Sequence, residues 1–256
     1  MVELGVADKI ATISMTCPPV NAITRGWADE FNAQLDKLAG RSDWRILCIS
    51  SGLRLFSAGG DIKQFASRLD QADAGSILAE EAKLYQSLFD RIASLKQISI
   101  AFIGGVAAGG GFELAMACDL RVAARSAKVG LPEVGIGLLP SAGGTQRMTR
   151  LIGAGRALKL IGTAELIHAA EALDLGLVEW VLPDEGFAQA ALQIASGLAG
   201  KPSEALRAAK SCIRAALDPK RDGFAEEAQA PITLMSSEET RARIAEFVAR
   251  SSKKKA

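Results

Sequence analysis

Strand-like runs alternate with helical ones through the first two thirds of the chain, and no other feature constrains its fold as much. Lys9 to Ser14 alternates apolar and polar residues and reads as an opening strand. Thr24 is placed to cap a helix whose apolar stripe is Trp27, Phe31, Leu35 and Leu38, with Gly40 closing it. Arg45 to Ser50 reads as a buried strand, followed by a loop from Ser51 to Gly60. Ile77 to Ser94 sets Leu84, Leu88 and Ile92 on one helix face. Ile98 to Ile103 is the next strand, Gly110 to Cys118 a short helix behind a glycine cluster, and Leu120 to Ala123 another strand. Beta, beta and alpha in recurring order predict an α/β layered fold, although no crisp sequence repeat accompanies them.

The last quarter changes character. Pro202 and Ser203 open a helix with Leu206, Ala209, Ile213 and Leu217 on one side. Ser236 and Glu239 have the spacing of a capping box ahead of a final helix bearing Ile244, Phe247 and Val248. Two amphipathic helices without an intervening strand cover their own apolar faces poorly, which predicts an oligomer. Residues 1–200 are therefore expected to form the core domain with the active site, and residues 201–256 a helical oligomerisation region. The closing Ser251-to-Ala256 run reads as a frayed tail.

Composition removes several classes of function. A chain of 256 residues suits one large domain, or one with an appendage. Its net charge of +1 is a poor footing for nucleic acid or an anionic membrane surface. The apolar stretch from Ile98 to Phe112 holds five glycines and runs into Glu113, so it does not read as a membrane span. Cys17, Cys48, Cys118 and Cys212 form no metal-binding spacing and read as buried thiols of a reducing compartment. The single histidine, His168, rules out a multi-histidine metal centre and reads as structural. No charged-then-apolar leader opens the sequence, and a soluble cytoplasmic protein without a metal is expected. Despite 25 glycines, neither nucleotide-binding glycine signature is present, nor is the hydrolase elbow.

The glycines gather instead at three corners: Phe56 to Lys63, Gly109 to Glu113, and Leu131 to Glu133 with Pro140 to Arg147. Backbone N–H groups at a strand-to-helix corner lack a helical acceptor, and two such corners brought together make an oxyanion hole. The same glycines also suit tight turns and close helix–strand packing. Glu113, in the first turn of its helix, and Glu133, behind Pro132, are suited to complement helix dipoles. Glu113 nevertheless sits in an otherwise apolar stretch, where a carboxylate is costly unless hydrogen-bonded or protonated. Two carboxyls sharing a pocket have their pKa values pushed apart, giving one base and one acid.

These segments together resemble the enoyl-CoA hydratase/isomerase, or crotonase, family. The resemblance runs through Pro18-Pro-Val-Asn-Ala-Ile23, Ser57 to Ile62, Gly109 to Ala115, Gly130 to Arg147 and Ala169 to Val181, in the family's order. It implies a spiral of β-β-α turns followed by a C-terminal helical trimerisation region, assembled as a homotrimer or a dimer of trimers. By the same resemblance the oxyanion-hole amides fall on Gly60 and Gly110, and the acid–base pair on Glu113 and Glu133. Ala22, Ala58, Gly60, Asp61, Ile62, Lys63 and Gly110 are the implied substrate contacts. The implied activity is hydration of a trans-2-enoyl-CoA thioester in fatty-acid or related acyl-CoA breakdown. No cofactor is implied, coenzyme A entering only as part of the substrate. A delta-isomerase of the same fold and a non-catalytic assembly protein are the alternatives.

The chain departs from the family pattern at Ser141, where glycine is usual, which bears on water placement, and at Gly104-Gly105, where the family has Asn-Gly. The final helix lacks the usual Glu-Gly step, so no basic residue is assigned to the CoA phosphates; Lys253 to Lys255 read as a solvated tail. Phe112 and Leu138-Leu139 are candidates for either acyl pocket or core, and Trp27, Phe31 and Trp180 are expected in the core. The stretch from Ala66 to Ala79, expected to border the acyl tunnel, has no legible pattern.

Overall fold

A computed structural model describes residues 1–253, with side chains through Arg250. Residues 251–253 continue the final helix instead of fraying, while residues 254–256 lie outside the described residues.

The chain begins with a hairpin, not the single strand that the alternation in Lys9 to Ser14 suggests. β1 (Val2–Ala7) pairs antiparallel with β2 (Ile10–Met15) along its whole length. Asp8 and Lys9 turn the chain with φ of +49° and +67°, the left-handed pair a two-residue hairpin loop needs. Because this turn contains neither Asn nor Gly, the usual sequence signature of a hairpin is missing. After α1 (Arg25–Ala39), β3 (Ile46–Ser51) lies parallel to β2. The Thr24 side chain accepts from Trp27 N, making the expected N-cap of α1.

α2 (Ile62–Ala66) and α3 (Ala74–Ala93) follow, and then β4 (Ile98–Ile103), parallel to β3. The short β5 (Ala107–Ala108) leads into α4 (Gly110–Ala117), and β6 (Leu120–Ala124) returns beside β4. β7 (Lys128–Gly130) runs into a 3₁₀ turn at Pro132–Ile136, followed by α5 (Gly144–Ile152) and α6 (Ala154–Thr163). β8 (Ile167–His168), α7 (Ala169–Leu175) and β9 (Trp180–Leu182) complete the two sheets. The larger sheet has the order β1-β2-β3-β4-β6-β9, and the smaller β5-β7-β8.

Side-chain alternation in the large sheet makes two cores. Ala11, Ile13, Leu47, Ile49, Ala101, Ile103 and Ala123 face α1, α3 and α4, where Trp27, Phe31, Leu88, Phe89 and Phe112 fill the main core. Ile10, Ile46, Cys48, Ile100, Phe102 and Val122 face the opposite side. There α8 (Phe187–Ala199) packs Ala191, Ala195 and Ala199, small residues at helical spacing that let its backbone approach the strands closely. Phe112 is wholly buried in the main core, which removes it from the candidate acyl-pocket residues.

Three helices end the described chain: α9 (Ser203–Ala215), α10 (Gly223–Ser236) and α11 (Glu238–Lys253). α9 is tied to the sheet by Lys210 Nζ, which donates to Asp119 Oδ2 at 2.5 Å and to Gln97 O. The capping box expected at Ser236 and Glu239 does not form. Ser236 closes α10, donating to Thr233 O, and Glu239 pairs with Arg45 instead. α10 escapes a periodicity reading because Pro231 lies within it. Ile213 on α9, Leu217 in the turn after it and Phe224 on α10 are exposed. Among the described residues no helix is long and apolar enough to cross a membrane.

Candidate active site

A buried asparagine fixes the loop of the first glycine corner, and Ala108 N, donating to Ser57 O at 2.9 Å, joins that corner to the second. Asn21, with no solvent exposure, has φ +47°, a conformation that asparagine tolerates better than most residues. Its Oδ1 accepts from Cys17 N at 2.7 Å, while Nδ2 donates to Ser51 Oγ at 2.8 Å and Phe56 O at 3.0 Å. The Ser57 hydroxyl donates to Asn21 O at 2.7 Å and accepts from Gly59 N at 3.1 Å. These bonds fix the loop that leads from β3 to Gly60.

Gly59 then passes directly against the second corner. It has φ +89°, and a Cβ there would lie 2.8 Å from Ala108 O and 3.0 Å from Gly110 N. Only glycine allows both that conformation and that approach. Gly60 and Gly110 are correspondingly close, a Cβ built on Gly110 standing 3.8 Å from Gly60 N. Gly110 is the first residue of α4, so its amide has no acceptor within the helix. Among the described residues neither the Gly60 nor the Gly110 amide donates a hydrogen bond.

Glu113, one turn into α4, is 3 % exposed. Its Oε1 accepts from Gly144 N, the leading amide of α5, at 2.7 Å. Burial pushes this carboxyl up to about 7, and the nearby charge of Glu133 adds to the rise. Amides of Gly144 and Ala142, and the Arg147 guanidinium, oppose it without cancelling it. Arg147 in turn shapes the amide loop, donating to Ala142 O at 2.9 Å and to Asp90 of α3 at 2.6 Å.

Glu133 stands on the 3₁₀ turn behind Pro132. A Cβ on Gly109 would lie 2.9 Å from Glu133 Oε1, which shows how closely this carboxyl approaches the corner. Its Oε2 is buried and has no hydrogen-bond partner among the described residues. Burial raises its pKa above the ordinary carboxyl value. The two acids thus share a poorly solvated space beside two free amides.

That space is a cavity of about 470 Å³. Of the residues singled out in the sequence, Ala58, Gly60, Ile62, Gly110, Glu113 and Glu133 line it, as do Leu138, Leu139 and Ser141. Ala22, Asp61 and Lys63 do not. Asp61 turns its carboxyl back to cap α2, accepting from Gln64 N at 3.1 Å. From the unreadable stretch after Ala66, Leu78 and Ala79 reach the wall on α3. Trp27 and Phe31 are buried as expected, Trp180 is half-buried on β9, and His168 is exposed ahead of α7, outside the cavity. Asn21, Ser57, Arg147 and Gly144 escaped sequence reasoning as positioning groups. Their roles depend on where distant loops meet.

The sequence profile of the enoyl-CoA hydratase/isomerase family matches residues 5–254. This chain belongs to the enoyl-CoA hydratase/isomerase family. A probable enoyl-CoA hydratase of Bacillus subtilis is 42 % identical to it over 203 residues, which cover 79 % of this chain and 76 % of that one. A crotonyl-CoA hydratase of Syntrophomonas wolfei is 37 % identical, covering 80 % and 77 % of the two chains. The crystal structure of an enoyl-CoA hydratase from Bacillus anthracis superposes with a TM-score of 0.89 at 30 % identity, over 97 % of this chain and 96 % of that one. Longer bifunctional and multifunctional relatives also match, and the chain spans 27 to 29 % of their length. The architecture is accordingly the crotonase α/β fold. Two backbone amides without acceptors and two carboxyls of raised pKa are thus gathered on one cavity.

Proposed function

We propose that this chain is an enoyl-CoA hydratase, adding water across the 2,3 double bond of a trans-2-enoyl-CoA. One observation carries the reading. Glu113 and Glu133 line a single cavity together with Gly60 and Gly110, whose amides donate to no described residue.

In this reading the thioester carbonyl accepts hydrogen bonds from Gly60 N–H and Gly110 N–H. Charge moves onto that oxygen as the enolate forms, so these bonds strengthen most in the transition state. A donor of this kind typically contributes about 3 kcal/mol of transition-state stabilisation. Glu113, held by Gly144 N–H, takes a proton from water while the water oxygen bonds to Cβ. The electrons of the double bond pass to the enolate, and a protonated Glu133 delivers its proton to Cα as the carbonyl re-forms. The pair then holds one proton, as it did at the start, with its location exchanged. Burial raises the pKa of both groups, which favours a carboxyl pair that retains one proton.

The reaction so written uses no cofactor. Coenzyme A arrives on the substrate and leaves on the product. Ala22 and Lys63, which adjoin the lining residues Ile23 and Ile62, are proposed to touch the CoA portion outside the cavity mouth. The exposed Ile213, Leu217 and Phe224 support the proposal that residues 201–256 assemble the chain as a homotrimer or a dimer of trimers. Fatty-acid or related acyl-CoA breakdown is the proposed setting.

Ultraviolet absorbance of a short conjugated enoyl-CoA tests the reading directly. A fall on mixing with the enzyme is the expected result. Should only a 3-enoyl-CoA react, to give the conjugated product, the chain is an isomerase instead.

A further inference from the structure

The loop from Pro140 to Gly144 brings two amides to the Glu113 carboxyl, those of Ala142 and Gly144. The same loop is also held from α3. Gln86 Nε2 donates to Ser141 O at 2.6 Å. One helical turn further on, Asp90 Oδ1 accepts from Arg147 Nη2 at 2.6 Å, and Arg147 Nη1 donates to Ala142 O at 2.9 Å. Two successive carbonyls of the loop are thus bonded, one by α3 directly and the next through Arg147.

Ser141 O and Ala142 N belong to one peptide plane. In a trans peptide the carbonyl and the amide point in opposite directions, and the cis bond among the described residues is Pro18-Pro19. A donor that keeps Ser141 O on the α3 side therefore turns Ala142 N–H the other way, toward Glu113. No other described residue donates to Ser141 O, and the Gln86 side chain makes no other hydrogen bond among the described residues.

We infer that Gln86 is a positioning residue of the active site: by holding Ser141 O it aims the Ala142 amide at the Glu113 carboxyl. An amide donating to a carboxylate favours the ionised form, which is the form that accepts a proton from water. The other charged groups facing Glu113 are Glu133 on the 3₁₀ turn, which opposes ionisation, and Arg147 on α5, which favours it. On α3, Asp90 pairs with Arg147, Glu81 pairs with Arg68, and Tyr85 lines the same cavity. Gln86 itself carries no charge, so it acts through the peptide it holds. Its catalytic consequence rests on the proposed use of Glu113 as the base.

The test titrates Glu113 directly, by carbon NMR of enzyme labelled at its glutamate carboxyls, the resonance being assigned by its loss in Glu113→Gln. Gln86→Leu is expected to move the midpoint to higher pH, strengthening the hold on the proton about tenfold, the effect of one hydrogen bond to a charged group. Gln86→Lys keeps a donor for Ser141 O and adds a positive charge, so its midpoint is expected at or below that of the wild type. Gln86 is exposed, so neither variant empties a core position. The rising limb of kcat/KM against pH should follow the carboxyl in each variant. An unmoved midpoint in Gln86→Leu overturns the inference, as does an equal upward shift in Gln86→Lys. The titration needs no turnover. If crotonyl-CoA is not hydrated while the midpoint responds as expected, the hydratase reading falls and the positioning role stands.

Discussion

Gly144 N–H donates to Glu113 Oε1 at 2.7 Å, joining the leading amide of one helix to the first-turn carboxyl of another. A Cβ on Gly144 would stand 2.7 Å from Pro140 Cβ and 3.0 Å from Glu113 Cγ. The bond therefore exists only while residue 144 lacks a side chain. Gly144→Ala should shift Glu113, lowering kcat by at least about tenfold and stability by about 1–3 kcal/mol, the usual cost of overpacking. Steady-state kinetics and urea unfolding read the two effects.

Glu133 is the proposed proton donor to Cα, and its Oε2 has no partner among the described residues to lose. Glu133→Gln should lower kcat by about 10²–10⁴-fold, the range for one general acid. Oligomer size in gel filtration should stay unchanged. Undiminished turnover in that variant would remove Glu133 from the mechanism.

Glu113 makes folding stability depend on pH. Its pKa rises from an ordinary 4.5 to about 7 on folding, so between those values the folded chain holds the proton that the unfolded chain has released. Stability from this group is complete below the lower value and is lost as pH climbs through the upper one, by about 3 kcal/mol in all. Urea midpoints of the wild type should fall over that window relative to Glu113→Gln. In the same window kcat/KM of the wild type should rise, because the base must be ionised to accept a proton from water.

Asn21 couples fold to site without touching the cavity. Asn21→Ala removes one acceptor and two strong donor contacts and leaves alanine at a positive φ. The expected loss is about 2–4 kcal/mol, observed as a lower unfolding free energy. Because the same bonds hold the loop that carries Gly60, kcat should fall while the binding of a saturated acyl-CoA changes less.

Local chemistry determined much of this protein before any contact between distant residues is considered. The Thr24 cap, the apolar stripe through Trp27 and Phe31, and the strand from Ile98 each depend on spacing within a few residues. Small residues at the Gly60 and Gly110 corners, and an acid set in an apolar helix, are likewise visible in one dimension. Tertiary structure alone decided that those corners touch, that Asn21 fixes the loop leading to the first of them, and that Glu113 bonds to an amide from a helix 31 residues onward. It also paired Val2–Ala7 with β2 through a turn bearing no turn-forming glycine or asparagine, and brought Gln86 of α3 to the Ser141 carbonyl. Spacing along a chain encodes which face of an element is apolar. Which polar groups lose their water, and which partners replace it, depends on elements far apart in sequence packing together.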